Sequence, residues 1–116
     1  MKFGDFIRTA RLDLQDNDRR FSVRQMALRV GIEPSYLSKV ERGLEAPPSV
    51  STITRLAEEL NENVDVLLAL AGKVSPDLTA AIVRRPALFS RLIRELNTLP
   101  DHAIIRLVRE VRDGEW

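Results

Sequence analysis

Apolar residues recur along the chain at steps of three and four positions, and polar residues fill the positions between them. Such spacing places apolar side chains on one face of an α-helix, whereas a half-buried strand requires strict alternation. No segment shows sustained alternation. The pattern therefore predicts an all-α protein.

Five amphipathic helices are predicted within the first 72 residues. The first begins at Phe3 and stops near Gln15, where the following DND sequence favours a turn, and a polar loop then extends to Phe21. Three of the later helices have predicted N-caps, which are Ser22, Ser49 and Asn63. Two adjacent prolines in residues 44–49 predict a stiff, exposed connection rather than a further element.

The second and third predicted helices are joined by a short turn. Gly31 suits the left-handed position that ends a helix, and Pro34 suits a first helical position, where its missing N–H would be unpaired anyway. Gly43 closes the third helix after Arg42. Two short helices around such a turn have the geometry of a helix-turn-helix, in which the second helix enters the DNA major groove.

The third predicted helix has one apolar and one polar face. Its inward positions are Leu37 and Val40, and its polar positions are Ser35, Ser38, Lys39 and Arg42. Serine hydroxyls donate to or accept from base edges, and a lysine donates to guanine. Arg42 lies at the end of the helix and is better placed for a backbone phosphate.

Three more amphipathic helices are predicted after a hinge at residues 72–75, beginning at Pro76, Pro86 and Pro100. They are too short to bury much surface alone, so they pack on the first five helices, on each other or on a second subunit. The predicted domains are residues 1–72 and a C-terminal extension, residues 73–116, for dimerisation or partner binding. Trp116 is either frayed or docked on a neighbouring subunit.

Composition narrows the function classes. The 116 residues contain no cysteine, which excludes disulfides and thiolate metal sites and favours a cytoplasmic protein. The N-terminus lacks the apolar run of a signal peptide, and the longest such run, residues 66–71, is too short to cross a bilayer. We therefore expect no membrane association.

Net charge is only +1, but its distribution is uneven. Residues 19–42 hold six basic and two acidic side chains, an excess of four positive charges. This excess fits a nucleic-acid surface, and it equally fits a solvated, charge-laced helix pair. Arg19 and Arg20 in the polar loop either reach a phosphate or the minor groove, or are simply solvated.

Several sequence runs resemble the Cro/C1 (XRE) family of bacterial and phage transcription regulators. They are YLSKVERG at residues 36–43, the following PPS, the apolar pattern of TITRLAEEL, and VDVLL. The resemblance covers residues 3–70 and is more specific than a lone helix-turn-helix. It implies a five-helix, lambda-repressor-like DNA-binding domain.

The resemblance also implies roles for individual residues. The base-reading positions are Ser35, Ser38 and Lys39. The phosphate-binding positions are Ser22, Arg24, Tyr36 and Arg42, with the backbone amides around Gly43 and Leu44. Arg11 and Glu41 match an internal ion pair between the first and third helices.

Three positions depart from the family pattern. Val23 replaces a glutamine that often braces the recognition helix on DNA. Glu33 replaces a small hydroxyl cap, and its charge suits a helix N-terminus while repelling a nearby phosphate. Pro34 cannot reach a base edge through a hydrogen bond. These departures predict few direct base contacts and a greater dependence on DNA shape.

No catalytic or metal-binding constellation is evident. His102 is the only histidine and has no further ligands or nucleophile near it in sequence, and the adjacent Glu58 and Glu59 point in different directions on a helix. We expect no enzyme activity, no metal and no cofactor.

The leading hypothesis is a transcriptional repressor that binds a palindromic site on double-stranded DNA as a homodimer. Dimerisation is assigned to the apolar stripes of the last two predicted helices, because one recognition helix alone buries little surface. The alternative is an antitoxin-type or other interaction module whose C-terminal helices bind a partner protein.

Overall fold

A computed structural model describes the whole chain, Met1–Trp116, and confirms the predicted all-α fold of five helices followed by three. The helices are α1 Phe3–Gln15, α2 Val23–Val30, α3 Pro34–Glu41, α4 Val50–Leu60, α5 Val64–Leu70, α6 Pro76–Arg84, α7 Pro86–Leu96 and α8 Asp101–Asp113. A 3-10 turn, Arg19–Phe21, lies between α1 and α2. The chain divides into two compact units, Met1–Ser75 and Pro76–Trp116.

The first unit contains the buried core. Every one of its five helices contributes, and the core residues are Phe3, Ile7, Met26, Ala27, Val30, Leu37, Val40, Ile53, Leu56, Ala57, Leu60, Leu67 and Leu68. They recur at the three- and four-residue steps of the sequence pattern, because those steps place side chains on one helix face. The burial of these apolar side chains is the main free-energy contribution that holds the short helices α2 and α3 in place.

The predicted helix ends of the first unit are present. The Ser22, Ser49 and Asn63 side chains each accept a backbone N–H at the start of α2, α4 and α5. Gly31 ends α2 with φ of 78°, a conformation that glycine adopts without a steric penalty. Arg42 is the C-cap of α3, so that helix ends one residue earlier than predicted.

Two connections differ from the sequence prediction. The polar loop expected up to Phe21 ends in the 3-10 turn, because the Asp18 carboxylate accepts the Arg20 N–H and so caps it. Within the connection of residues 44–49, Pro48 is buried rather than exposed. The Tyr36 hydroxyl also donates to the Ala46 carbonyl oxygen at 3.2 Å and so ties this connection to α3.

The second unit has no buried residue. Its apolar side chains lie along α7 and α8, which border an apolar cleft of about 490 Å³ lined by Leu92, Leu96, Ile104, Leu107, Val108, Val111 and Arg112. Trp116 is 95% exposed, and its indole N–H donates to the Val111 carbonyl oxygen at 3.0 Å. None of the eight helices is both long and apolar enough to span a membrane.

Candidate nucleic-acid interface

The outer face of α3 carries the predicted base-reading residues. Leu37 and Val40 are buried in the core, whereas Ser35 and Lys39 are exposed and lie one helical turn apart. Ser38 is half-buried beside them. None of these three polar side chains makes a hydrogen bond within the protein, so their donors and acceptors are available to a ligand.

The N-terminus of α2 presents several unused donors. The Ser22 hydroxyl oxygen accepts the Gln25 N–H at 3.2 Å, which leaves the hydroxyl proton free to donate. The backbone N–H groups of Val23 and Arg24 have no acceptor, as is usual for the first turn of a helix. The Arg24 guanidinium is exposed and unpaired. Together with the positive end of the helix dipole, these groups form a surface suited to an anion such as phosphate.

The basic residues of the 19–42 segment are not equivalent. Arg20 forms a 2.7 Å ion pair with Asp18, and Arg29 forms a 2.8 Å ion pair with Glu59 while covering the Phe21 ring. The Arg42 Nε donates to the Ser38 carbonyl oxygen at 3.3 Å. The basic side chains with no partner in the protein are Arg19, Arg24 and Lys39.

The Arg20 pairing also affects Asp18. The side-chain hydrogen bonds from Arg20, followed by its backbone N–H, lower the pKa of the Asp18 carboxyl below its ordinary value of 3.8. Asp18 therefore stays ionised, and its charge is balanced by Arg20 rather than by a more distant cation.

The backbone amides of Gly43 and Leu44, which the family resemblance assigns to a phosphate, make hydrogen bonds within the protein. The Gly43 N–H donates to the Val40 carbonyl oxygen at 3.1 Å, and the Leu44 N–H donates to that of Lys39 at 2.8 Å. With Gly43 at φ of 75°, these bonds close the C-terminal end of the helix in the usual left-handed manner. The amides therefore cap the C-terminal end of α3, and their role at a phosphate stays a prediction.

Tyr36 is engaged in a similar way. Its hydroxyl has one proton, and that proton is donated to Ala46. Tyr36 can therefore donate to a phosphate only by releasing the connection after α3. In this structure it positions that connection instead.

Arg11 and Glu41 form a buried, two-point ion pair between α1 and the end of α3. The Arg11 Nε and one terminal nitrogen each lie 2.8 Å from a different Glu41 carboxylate oxygen. The other terminal nitrogen donates to Gln15 Oε1 at 3.0 Å and to the Phe21 carbonyl oxygen at 3.1 Å. One guanidinium thus joins α1, the 3-10 turn and α3.

Gly4 is a positioning residue that the sequence reasoning missed. A Cβ atom there would lie 2.3 Å from the Val40 carbonyl oxygen and 2.8 Å from that of Glu41. The lack of a side chain therefore lets α1 approach the end of α3. The sequence did contain a signal for this role. Gly4 lies inside a predicted helix, where a glycine lowers helix stability and therefore indicates a packing requirement.

No group of three or more histidine, cysteine, aspartate or glutamate side chains is placed to hold a metal ion. His102 is exposed on the first turn of α8, in the second unit.

Comparison with known proteins gives a family match that lies within the first unit. Residues 17–67 match the family model HTH_3, described as helix-turn-helix. Two Mycobacterium tuberculosis proteins, from strains CDC 1551 and H37Rv, are each named as an uncharacterized HTH-type transcriptional regulator. Each is 37% identical to this chain over 79 residues, which cover 68% of this chain and 52% of the relative.

Two further similarities are weaker. The HTH-type transcriptional regulator SlrR of Bacillus subtilis is 36% identical over 47% of this chain and 39% of its own length. A solved complex of the SinR and SinI proteins aligns over 95% of this chain with a TM-score of 0.49 and 20% identity, values too low to support an argument.

The chain spans about half the length of the Mycobacterium relatives that it matches. The matched region begins at residue 17, before α2, and ends at residue 67 in α5, so it includes the whole of α2, α3 and α4. The region of residues 17–67 therefore belongs to the Cro/C1-type helix-turn-helix family, and the relatives named above are HTH-type transcriptional regulators.

Proposed function

We propose that α3 enters the major groove of a specific DNA site and reads it through Ser35, Ser38 and Lys39. The observation that supports this most is the unused polar face of α3 beside the unused donors of α2. The major groove is about 12 Å wide and accepts one helix. Lys39 donates to guanine O6 or N7, and the two serines contact whichever base edges lie nearest.

The phosphate contacts are assigned to Ser22, Arg24 and Arg42, together with the free N–H groups of the first turn of α2. A phosphate at the N-terminus of α2 would receive charge-assisted hydrogen bonds from several donors that the fold already holds in place. Because Val23 on α2 lacks a polar side chain, direct readout is limited to α3. Because Pro34 at the start of α3 cannot reach a base edge through a hydrogen bond, readout there is limited to the three polar side chains. DNA shape and phosphate positioning supply the remainder of the specificity.

The regulator acts as a homodimer and represses by occupying a palindromic site that overlaps a promoter. The support for a dimer is the second unit, where α7 and α8 border an apolar cleft and no side chain is buried. An exposed apolar patch of this kind marks an interaction surface. A second copy related by two-fold symmetry would cover the same patch on both subunits and present two α3 helices one DNA turn apart.

A partner protein is the second candidate for the same cleft, as in antitoxin-type proteins. An amphipathic helix from another protein would fit an apolar cleft between two helices as well as a second copy would. The oligomeric state of the purified chain distinguishes the two, because only self-association needs no added protein.

The test is selection of bound sites from random DNA, followed by binding measurements at several salt concentrations. We expect an enriched palindrome and a steep loss of affinity as salt is raised. Lys39→Ala should lose about 1–3 kcal/mol of discrimination at one base position, whereas Arg24→Ala should weaken binding to all sequences alike. Binding that is absent or independent of salt would contradict the proposal.

A further inference from the structure

We propose that Arg19, on the 3-10 turn before α2, is a phosphate-binding residue outside the helix-turn-helix motif. It extends the DNA contact by one phosphate beyond the N-terminus of α2. This inference rests on the proposed DNA-binding function. In the sequence prediction Arg19 and Arg20 are equivalent, each either at a phosphate or the minor groove or simply solvated.

The 3-10 turn holds Arg19 in a fixed position next to α2. The Arg11 guanidinium donates to the Phe21 carbonyl oxygen, and the Arg29 guanidinium donates to that of Arg20. The Ser22 N–H donates to the Arg19 carbonyl oxygen at 3.1 Å. Three backbone carbonyls in succession are therefore bonded, so the turn is anchored to α1, to α2 and to the cap of α2.

Among the arginines that lie on the 3-10 turn or bond to it, Arg19 is the one whose charge is not already paired. Arg20 bonds to both Asp18 carboxylate oxygens, and Arg29 pairs with Glu59. The Arg19 side chain is exposed and has no hydrogen bond or ion pair. A free cation on an anchored turn contacts a ligand at a smaller entropic cost than one on a mobile loop.

The spacing suits two adjacent phosphates. Arg19 precedes Ser22 by three residues, and a 3-10 turn rises about 2 Å per residue, so the two backbones are separated by roughly 6 Å. Adjacent phosphates on one DNA strand rise by about 3.4 Å along the helix axis and also step around it, so the distance between them is larger than this rise. A long arginine side chain at position 19 therefore spans to the phosphate next to the one at Ser22 and Arg24.

Two carboxylates near the turn are each balanced by an arginine. Asp18 is balanced by Arg20, and Glu59 is balanced by Arg29. Asp16 is exposed and remains the nearest unpaired carboxylate in sequence. Asp16 is the C-cap of α1, whereas Arg19 belongs to the turn whose last residue, Phe21, directly precedes the Ser22 cap of α2.

The experiment measures the salt dependence of binding to a mixed-sequence duplex of 20 base pairs, so no operator has to be known. Each phosphate contact contributes about 0.9 to the slope of log affinity against log salt. We expect Arg19→Gln to reduce the magnitude of the slope by about 0.9, and Arg19→Lys to retain most of it. Arg24→Gln serves as the positive control and should reduce the slope by a similar amount.

A matched control removes the neighbouring ion pair without changing net charge. Asp18→Asn combined with Arg20→Gln keeps a capping side chain at position 18 and should leave the slope as it is in the original chain. The inference is overturned if Arg19→Gln keeps the original slope while Arg24→Gln reduces it, or if the paired control reduces the slope as much as Arg19→Gln. An original chain that binds no DNA overturns the proposed function itself and this inference with it.

Discussion

The Arg11 guanidinium and the Glu41 carboxylate meet through two hydrogen bonds of 2.8 Å, with side chains only 5% and 4% exposed. They join α1 to the last residue of α3. Because Arg11 also donates to the carbonyl oxygen of Phe21, the pair fixes the recognition helix relative to the turn that precedes α2. The geometry of the proposed DNA surface thus depends on the buried Arg11–Glu41 ion pair, which is not itself part of that surface.

Removing one partner of this pair should destabilise the protein strongly. Glu41→Ala leaves the Arg11 charge buried without compensation, and we expect a loss of about 3–5 kcal/mol in the free energy of unfolding. Chemical denaturation measures this directly. Replacement of both residues, Arg11→Met with Glu41→Leu, should cost less than Glu41→Ala alone, because no charge is then left buried.

The exposed pair of Arg29 with Glu59 provides a matched control, since its N–O distance is also 2.8 Å. Glu59→Ala should cost less than about 1 kcal/mol, as is usual for partly solvated ion pairs. Equal losses in the free energy of unfolding for Glu41→Ala and Glu59→Ala would contradict the argument that burial makes the Arg11–Glu41 pair costly to break.

A comparison of the helix caps Ser22 and Ser49 distinguishes an effect on helix stability from an effect on DNA binding. Ser22 and Ser49 each accept the N–H of the third helical residue, at 3.2 Å and 3.3 Å. Replacing either serine with alanine should cost about 1 kcal/mol of stability by thermal or chemical unfolding. Only Ser22→Ala should also weaken DNA binding, because Ser22 lies at the proposed phosphate surface. If Ser49→Ala lost a similar amount of DNA affinity, the effect of Ser22→Ala would be explained by lost stability and not by a phosphate contact of Ser22.

The apolar cleft of the second unit should control oligomeric state. Leu92→Asp or Val108→Asp places a charge where a second copy would bury the cleft, so we expect analytical ultracentrifugation to report monomers. Val83→Asp is the control, since Val83 lies on α6, is 69% exposed and does not line the cleft. An original chain that is monomeric at micromolar concentration would instead favour a partner protein.

Acid titration should reveal the Asp18–Arg20 pair. Asp18 has a lowered pKa in the folded chain, so its stabilising contribution is present above the ordinary value of 3.8 and is lost as pH falls through the folded pKa. NMR titration of the carboxyl carbon should give a pKa below 3.8, and Arg20→Ala should raise it, because the largest cause of the shift is then removed. An Asp18 pKa that does not respond to Arg20→Ala would show that the ion pair is not formed in solution.

The order and extent of the helices were predictable from the sequence because local signals determine them. Apolar spacing fixed the buried faces, the serine and asparagine caps fixed the starts of α2, α4 and α5, and Gly31 with Pro34 fixed the turn between α2 and α3. The roles of Ser35, Ser38 and Lys39 remain predictions. They followed from the exposed face of one helix and from a family resemblance, both of which are visible in the sequence.

Tertiary structure alone decided that Arg11 bonds to both Glu41 and the Phe21 carbonyl oxygen, and the folded backbone decided which other polar groups are free. Arg19 and Arg20 are neighbours of the same type, yet only Arg20 is paired, because the 3-10 turn directs it to Asp18. The Gly43 and Leu44 amides are committed to α3 carbonyls, and the Tyr36 hydroxyl to Ala46. A hydrogen bond depends on distance and direction between groups that the chain brings together on folding, and residue type and spacing do not contain that information.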